Sequence, residues 1–414
     1  MKIARLIAAI VGLSLVAIAT PAWAASGDPD TGFSGDGVMN FGLAVGEESG
    51  VGAVVDPSGR LLVGDYLSGT DLAVARVLPG GTLDSSFAGG IAQFPEGKNR
   101  PTNAIAVQPN GKVLVVGQTP NADLYLARYR ANGLPDPTFS GDGLVHVALP
   151  STSTTETSIF VRSDGSIVIP GYVTNASNEE RLFVVAFRPN GSLDPSFSGD
   201  GQFFLQVGDT SRIRDALIDG HDRVTVAGET QTNGRPQRAL VARILANGTL
   251  DRNFAGDGVA LFDLAGGADE PRAIDALGGG SALVVEQGVN AGGTSANAIS
   301  FAVSAAGKID MSYSGDGRST IDLDVFDNPA DLWIDGSGRG YIATSLPYLS
   351  ATVPSLIRTN PNGSLDNSFS GDGYAQVTTE GIGGAVTVWH GKPTLTGGLF
   401  LTTDFDAMVA RFLA

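Results

Sequence analysis

Asn190-Gly-Ser-Leu-Asp-Pro-Ser-Phe-Ser-Gly-Asp-Gly201 returns almost unchanged as Asn362-Gly-Ser-Leu-Asp-Asn-Ser-Phe-Ser-Gly-Asp-Gly373. Looser copies bring the total to seven, with the aromatic at Phe33, Phe87, Phe139, Phe197, Phe254, Tyr313 and Phe369. Successive aromatics lie 54, 52, 58, 57, 59 and 56 residues apart. A period of this size is one supersecondary unit copied along the chain, so the sequence encodes a repeat array and not a doubly wound sheet or helix bundle. Residues that recur in every copy belong first to the scaffold. Function is to be sought where the copies differ.

One copy reads clearly from residue 103. Residues 103–108 alternate and are β-branched, which predicts a strand. Pro109-Asn110-Gly111 is a tight turn with Asn-Gly where positive φ is needed. Strands follow over 112–117 and 123–129. A connection through Leu134, Asp136 and Phe139 then leads to Ser140-Gly-Asp-Gly143 and a fourth strand over 144–149. The first turn recurs as Asp56-Pro-Ser-Gly59, Ser163-Asp-Gly165, Asp219-Gly-His-Asp222, Gly278-Gly-Gly280, Asp335-Gly-Ser-Gly338 and His390-Gly391. Four antiparallel strands per repeat, with no helical periodicity beyond residue 24, is the blade of a β-propeller. The first copy of the motif, at Phe33, begins in mid-unit and enters a strand at Val38-Met-Asn-Phe41; the chain stops at Met408-Val-Ala-Arg-Phe412, a third strand. Pairing the spare first strand with the incomplete last sheet would remove the exposed edges. The expectation is an all-β, seven-bladed β-propeller, closed by its N-terminal strand, as one domain over 25–414.

The remaining N-terminal residues read as a signal peptide over 1–24. Lys2 and Arg5 precede an apolar run, Pro21 ends it, and Ala22-Trp23-Ala24 offers small residues for cleavage. The alternative, an N-terminal membrane anchor, lacks length and a stop-transfer pattern, and no other stretch reaches the ~20 apolar residues of a membrane span. The expected location is therefore secreted, periplasmic or extracellular. The sequence has no cysteine, which excludes disulfides and a thiol nucleophile. Net charge is −17, or −19 without Lys2 and Arg5 (24 basic against 43 acidic). That balance argues against nucleic acid, whose binding rests on Lys and Arg at phosphates. A monomer is expected.

The two quoted phrases resemble the delta-60 repeat of secreted bacterial proteins, a family largely of unknown function held to form β-propellers. The resemblance covers nearly the whole chain beyond residue 24. The stretch Ala104-Ile-Ala-Val-Gln-Pro-Asn-Gly-Lys-Val-Leu-Val-Val116 is similar to the NHL-type propeller repeat, which implies that it supplies the innermost strand and its neighbour. Neither resemblance carries over a catalytic residue.

Candidate chemistry falls into five groups. Asp36, Asp142, Asp200, Asp257, Asp316 and Asp372 in the Gly-Asp-Gly turns could hold Ca²⁺ with nearby carbonyls, but turn carboxylates more often bond their own backbone N–H groups. A recurring arginine (Arg76, Arg128, Arg188, Arg243, Arg358 and Arg411) precedes an aspartate by about eight residues, which suggests a structural ion pair; the copy at Tyr313 has Val303 there. The three histidines, His146, His221 and His390, share no metal-ligand spacing. Non-repeating charges gather in the stretches between repeats, 42–52, 95–102, 150–158, 208–215, 265–272, 324–331 and 378–384. They make Arg100, Arg212, Arg214 and Arg272 candidate ligand-binding residues. Trp333 and Trp389, on predicted first strands, could stack a sugar or simply pack between blades.

The sequence thus reads as a secreted binding module offering variable inter-blade loops to a glycan, peptide or protein. Two alternatives stand: a propeller lyase or hydrolase of extracellular polymers, marked by converging Arg and carboxylate groups with shifted pKa, and a structural surface component with no formed pocket. No cofactor is required by this reading, with Ca²⁺ the one open candidate.

Overall fold

A computed structural model describes residues 25–42, 52–66, 72–94, 104–119, 121–232, 234–323, 328–348, 351–400 and 405–414. The expected signal segment over 1–24, and Arg100, lie outside these residues. Within them the chain is strands and turns, with one short 3-10 turn at Ala88–Gly90. No helix there is long and apolar enough to cross a membrane.

The second repeat shows how sequence becomes sheet. Ala104–Val107, Val113–Gln118, Leu124–Tyr129 and Leu144–Val147 pair antiparallel in chain order. The predicted turn forms at Gly111, whose φ of 79° suits glycine, and its N–H reaches the Gln108 carbonyl. The two middle strands are buried along their whole length, which is why Val-Leu-Val-Val and Leu-Tyr-Leu-Ala run without alternation. The first strand alternates buried and half-buried, and the fourth is more open still. A sheet of this kind is covered on both faces at its middle and meets solvent at its inner and outer edges.

The same order recurs along the chain. One nine-stranded sheet holds the third and fourth repeats, joined only by the parallel bridge from Glu180 to Thr210. Gly381–Trp389, Lys392–Phe400 and Phe405–Arg411 form three strands of the last sheet, and its fourth is Val38–Phe41 from the other end of the chain, with Met39 opposite Val409. Arg411 Nε donates to Asp30 at 2.6 Å, so the N-terminal segment completes this repeat chemically as well.

Among the described residues, seven apolar clusters lie between successive sheets. Phe139 with Ile169 joins the second and third repeats, and Phe254 with Val284 the fourth and fifth. Phe33, Leu61, Val63 and Trp389 join the last repeat to the first. Each motif aromatic is thus a wedge between two sheets. At about 25 cal/mol per Å² of apolar surface removed from water, such wedges dominate the stability of stacked units.

Candidate functional site

The repeated residues prove to be joints. Arg128 Nε donates to Asp136 (2.8 Å), Nη2 to Thr138, and Nη1 to the Pro189 carbonyl of the next repeat, while the guanidinium lies over Phe139. Arg76, Arg243, Arg358 and Arg411 also pair with an aspartate and cover a motif Phe. Arg188 does not belong to this set. It is 54% exposed and 3.8 Å from Asp194. The aspartate N–H marks the equivalent position by bonding its carbonyl, Arg128 for Asp136 but Ala186 for Asp194 and Ala302, not Val303, for Asp310. In the third repeat Arg162 instead comes within 5.4 Å of the Phe197 ring centroid.

The Gly-Asp-Gly carboxylates cap their own turns. Asp36, Asp142, Asp200, Asp257, Asp316 and Asp372 each accept the N–H two residues on, at 2.9–3.3 Å. The residue after each aromatic sits at positive φ, as at Ser140 and Ser198 (both 53°); the Ser140 N–H bonds the Asn190 carbonyl and the Ser198 N–H the Asn247 carbonyl, each in the following repeat.

Beyond these joints lies a cavity of about 440 Å³, walled by the first strands of all seven repeats. Gly52, Ala53, Ala104, Ala330, Gly384 and Ala385 keep part of its wall small. Glu156, Tyr172, Arg214, Asp215 and Arg272 make the wall contributed by the third, fourth and fifth repeats polar. Sequence reading expected Arg212, Arg214 and Arg272 on loops. Hydrogen-bond register puts them on first strands, Thr210–Ile218 and Asp269–Gly278. Bulges between Ile213 and Asp215 and between Pro271 and Ala273 carry the pairing through residues whose polarity hides the strand pattern.

Arg214 and Arg272 come together here; Arg212 stands outside the cavity, bonded to Glu180 at 2.6 Å and 6.0 Å from the Tyr172 ring centroid. Arg214 pairs with Glu229 through Nε and Nη2 (2.7 Å for the shortest contact). Arg272 donates from Nη2 alone, to Glu270 (2.7 Å) and Gln287 (2.9 Å); its buried Nε meets no acceptor. Burial, and then the charge of Arg214, hold its pKa below the ordinary arginine value.

Three aspartates of the first strands, which sequence reading did not single out as a group, link neighbouring repeats. Asp215 accepts from Ala216 and Ser158 on one oxygen and from Ile274 on the other. Asp275 accepts from Ala276 and Ile334, and Asp331 from Leu332 and Val386. Burial and the charge of Asp331 push Asp215 up to about 8; burial, then Asp275, push Asp331 up to about 6. The signal in the sequence was an Asp recurring at 215, 275 and 331, spaced by 60 and 56 residues as the repeats are.

The tryptophans do not share the cavity. Trp389 is completely buried, its Nε1 donating to the Gly59 carbonyl (2.7 Å) and its ring edge-on to Phe33, so it seals the last repeat to the first and offers no face for a sugar. Trp333 packs beside Tyr341 at 5.6 Å, half-buried, away from the cavity wall.

The family described as "Domain of unknown function (DUF5122) beta-propeller" matches residues 57–87, 108–139, 162–197, 222–254 and 343–369. The fold is a β-propeller. The matches fall on the first, second, third, fourth and sixth repeats, each ending on the motif aromatic. The propeller also resembles the WD40 domain of Toxoplasma gondii coronin, at 9% identity over 94% of this chain and 88% of that one, with a TM-score of 0.53. This likeness concerns the fold alone. Lower likenesses, too weak to carry an argument, are to a Dyadobacter fermentans protein of unknown function (10% identity, 91% and 99% coverage, TM-score 0.45) and to a Penicillium chrysogenum alpha-L-arabinanase complexed with arabinobiose (10%, 74% and 92%, 0.47). No curated protein matches the sequence.

Proposed function

We propose that this protein is a secreted, seven-bladed propeller that works as a binding module and takes its ligand at the cavity framed by its first strands. The apolar cluster between last and first repeats and the pairing of Val38–Phe41 with Phe405–Arg411 support a closed ring of seven blades. The basic head and apolar run of residues 1–24 support export. The observation that carries the functional reading is the cavity itself, to which all seven repeats contribute and in which the charges gather on one side. A purely structural component calls for no such cavity. The expected ligand classes remain a glycan, a peptide or an exposed protein segment.

Catalysis is the second reading, favoured by Asp215 and Asp331, two carboxyls with raised pKa in a cavity that also holds arginines. The module reading is preferred because those carboxyls accept backbone N–H groups of the next repeat, and Asp275, in the intervening repeat, does the same. A bond repeated around a scaffold belongs to the scaffold. Thermal melts of residues 25–414 against saccharides and peptides test this, since a ligand of the folded state raises the midpoint by mass action. Ligands are expected to raise the midpoint without being consumed. New reducing ends or unsaturated products from a polymer, lost in Asp331→Asn, would replace the module reading with the enzyme.

A further inference from the structure

Neighbouring sheets are tied together at the motif turns, and the ties are unequal. Among the described residues, the N–H after the motif aromatic crosses to a carbonyl of the following repeat in six places: Ser34 to Gly80, Ala88 to Asn132, Ser140 to Asn190, Ser198 to Asn247, Ala255 to Ala306 and Ser370 to Ser26. The N–H of Ser314, after Tyr313, makes no such bond, although Asn362 holds the matching place in the sixth repeat.

The arginine tie is missing at the same joint. Arg76, Arg128, Arg243 and Arg411 each donate to a backbone carbonyl of the next repeat (Ala131, Pro189, Ala305 and Pro79), and Arg358 donates to the Ser26 hydroxyl. The fifth repeat has Ala302 at that position, marked by the N–H of Asp310. Asp310 is left to accept from Ser312 of its own turn. The third repeat also lacks the arginine, at Ala186, yet it keeps the Ser198 crossing and brings Arg162 to Phe197. Tyr313 keeps its hydroxyl within its own sheet, on Ser300 (2.7 Å), and is 7% exposed where the six motif phenylalanines are at most 1%. An apolar cluster that includes Leu283 and Ile342 still joins the fifth and sixth repeats, with the Ile334 N–H on Asp275 (2.7 Å) and the Ser319 hydroxyl on the Gly363 carbonyl (2.9 Å). In stacked repeats each unit contacts its neighbours, so stability is set joint by joint, and the joint with the fewest ties parts first.

We infer that the stacked sheets have one built-in point of opening, the joint between the fifth and sixth repeats, put there by the missing arginine and the missing backbone crossing. This joint meets the cavity wall between Arg272 and Ala330, so its parting widens the cavity whatever that cavity binds.

Hydrogen exchange of residues 25–414, resolved to single N–H groups and corrected for intrinsic rates, is the test. Three matched N–H groups cross successive joints to a carboxylate of the preceding repeat: Ile274 to Asp215, Ile334 to Asp275 and Val386 to Asp331. The Trp389 indole N–H, on the Gly59 carbonyl, reports on the joint between the last and first repeats. Ile334 is expected to exchange at least about tenfold faster than Ile274, Val386 and the Trp389 indole. Ala302→Arg supplies the arginine that the other joints have; it should slow Ile334 toward Ile274 and Val386 and leave those two unchanged. Equal protection at Ile274, Ile334 and Val386 would overturn the inference. So would faster exchange of the Trp389 indole, which would put the opening where the two ends of the chain meet. Fast exchange at Ile334 that a folded Ala302→Arg leaves unaltered would overturn the role given to the missing arginine. Should Ala302→Arg fail to fold, the comparison within the unsubstituted protein decides by itself.

Discussion

Glu286 occupies a place where other repeats have Gly117, Gly171 and Gly228, on the strand behind the cavity wall. Glycine is needed at Gly228 because a Cβ there would meet the Arg212 carbonyl. In the fifth repeat the added carboxyl is completely buried and faces Asp269, itself completely buried and accepting from Leu264 and Ala265. Burial, then the charge of Asp269, push Glu286 well above the ordinary glutamate range, and burial raises Asp269 as well. An acid held neutral in the fold but ionised when unfolded contributes stability that is full below about pH 4.5 and is lost as pH rises toward its folded pKa. Glu286→Gln keeps the donor and removes the titration. It is expected to gain at least about 1 kcal/mol at pH 8 relative to wild type and nothing at pH 4, since a tenfold change in acidity between folded and unfolded chain is worth about 1.4 kcal/mol. Denaturant melts at the two pH values measure this, and an equal effect at both would show that Glu286 is not raised in the fold.

Strands and turns are the scale at which the repeated arginines act. Arg128 and Asp136 are both almost fully buried, and the guanidinium spans two sheets through the Pro189 carbonyl. Removing one partner of a buried pair costs about 3–5 kcal/mol, so Arg128→Ala is expected to destabilise by about that amount. Arg188→Ala, at the exposed position that only resembles it in sequence, is expected to stay within about 0.5 kcal/mol. Parallel denaturant melts compare the two, and similar losses would put both arginines in the same structural role. The Gly-Asp-Gly turns give a further expectation. Their aspartates already accept the N–H two residues on, so excess Ca²⁺ and EDTA should leave the melting midpoint of residues 25–414 unchanged. A midpoint raised by Ca²⁺ and lowered by EDTA would make the turns a metal site.

At the scale of the whole molecule, the two ends of the chain hold one sheet together. Val38–Phe41 covers the edge of Phe405–Arg411, Asp30 neutralises Arg411, and Phe33 meets Trp389. Residues 25–414 are expected to run as a monomer in size-exclusion chromatography with light scattering. Deleting residues 25–41 would expose a strand edge and unpair a buried arginine, and should shift the protein to dimers or aggregates. A deletion product that stays monomeric with an unchanged melt would mean that the N-terminal strand is dispensable to the last sheet.

The sequence by itself determined the repeat, its four-strand unit, the turn at Gly111 and the offset of the ends. These follow from local rules: a period of two along a pleated strand, glycine at positive φ, and an aromatic wedge in each copy. Equivalence at Ala186 was not legible, because Arg188 imitates the recurring arginine at a distance of two residues. Nor was the reach of the first strands, because bulges shift the faces of Asp215 and Asp331 and polar residues break the alternation that marks a strand. Tertiary structure alone decided that Trp389 is a seal and that Arg214 and Arg272, 58 residues apart, share a cavity. Such a site has no local signature. It exists only because first strands from every repeat face one another, and that meeting is fixed by how the sheets pack.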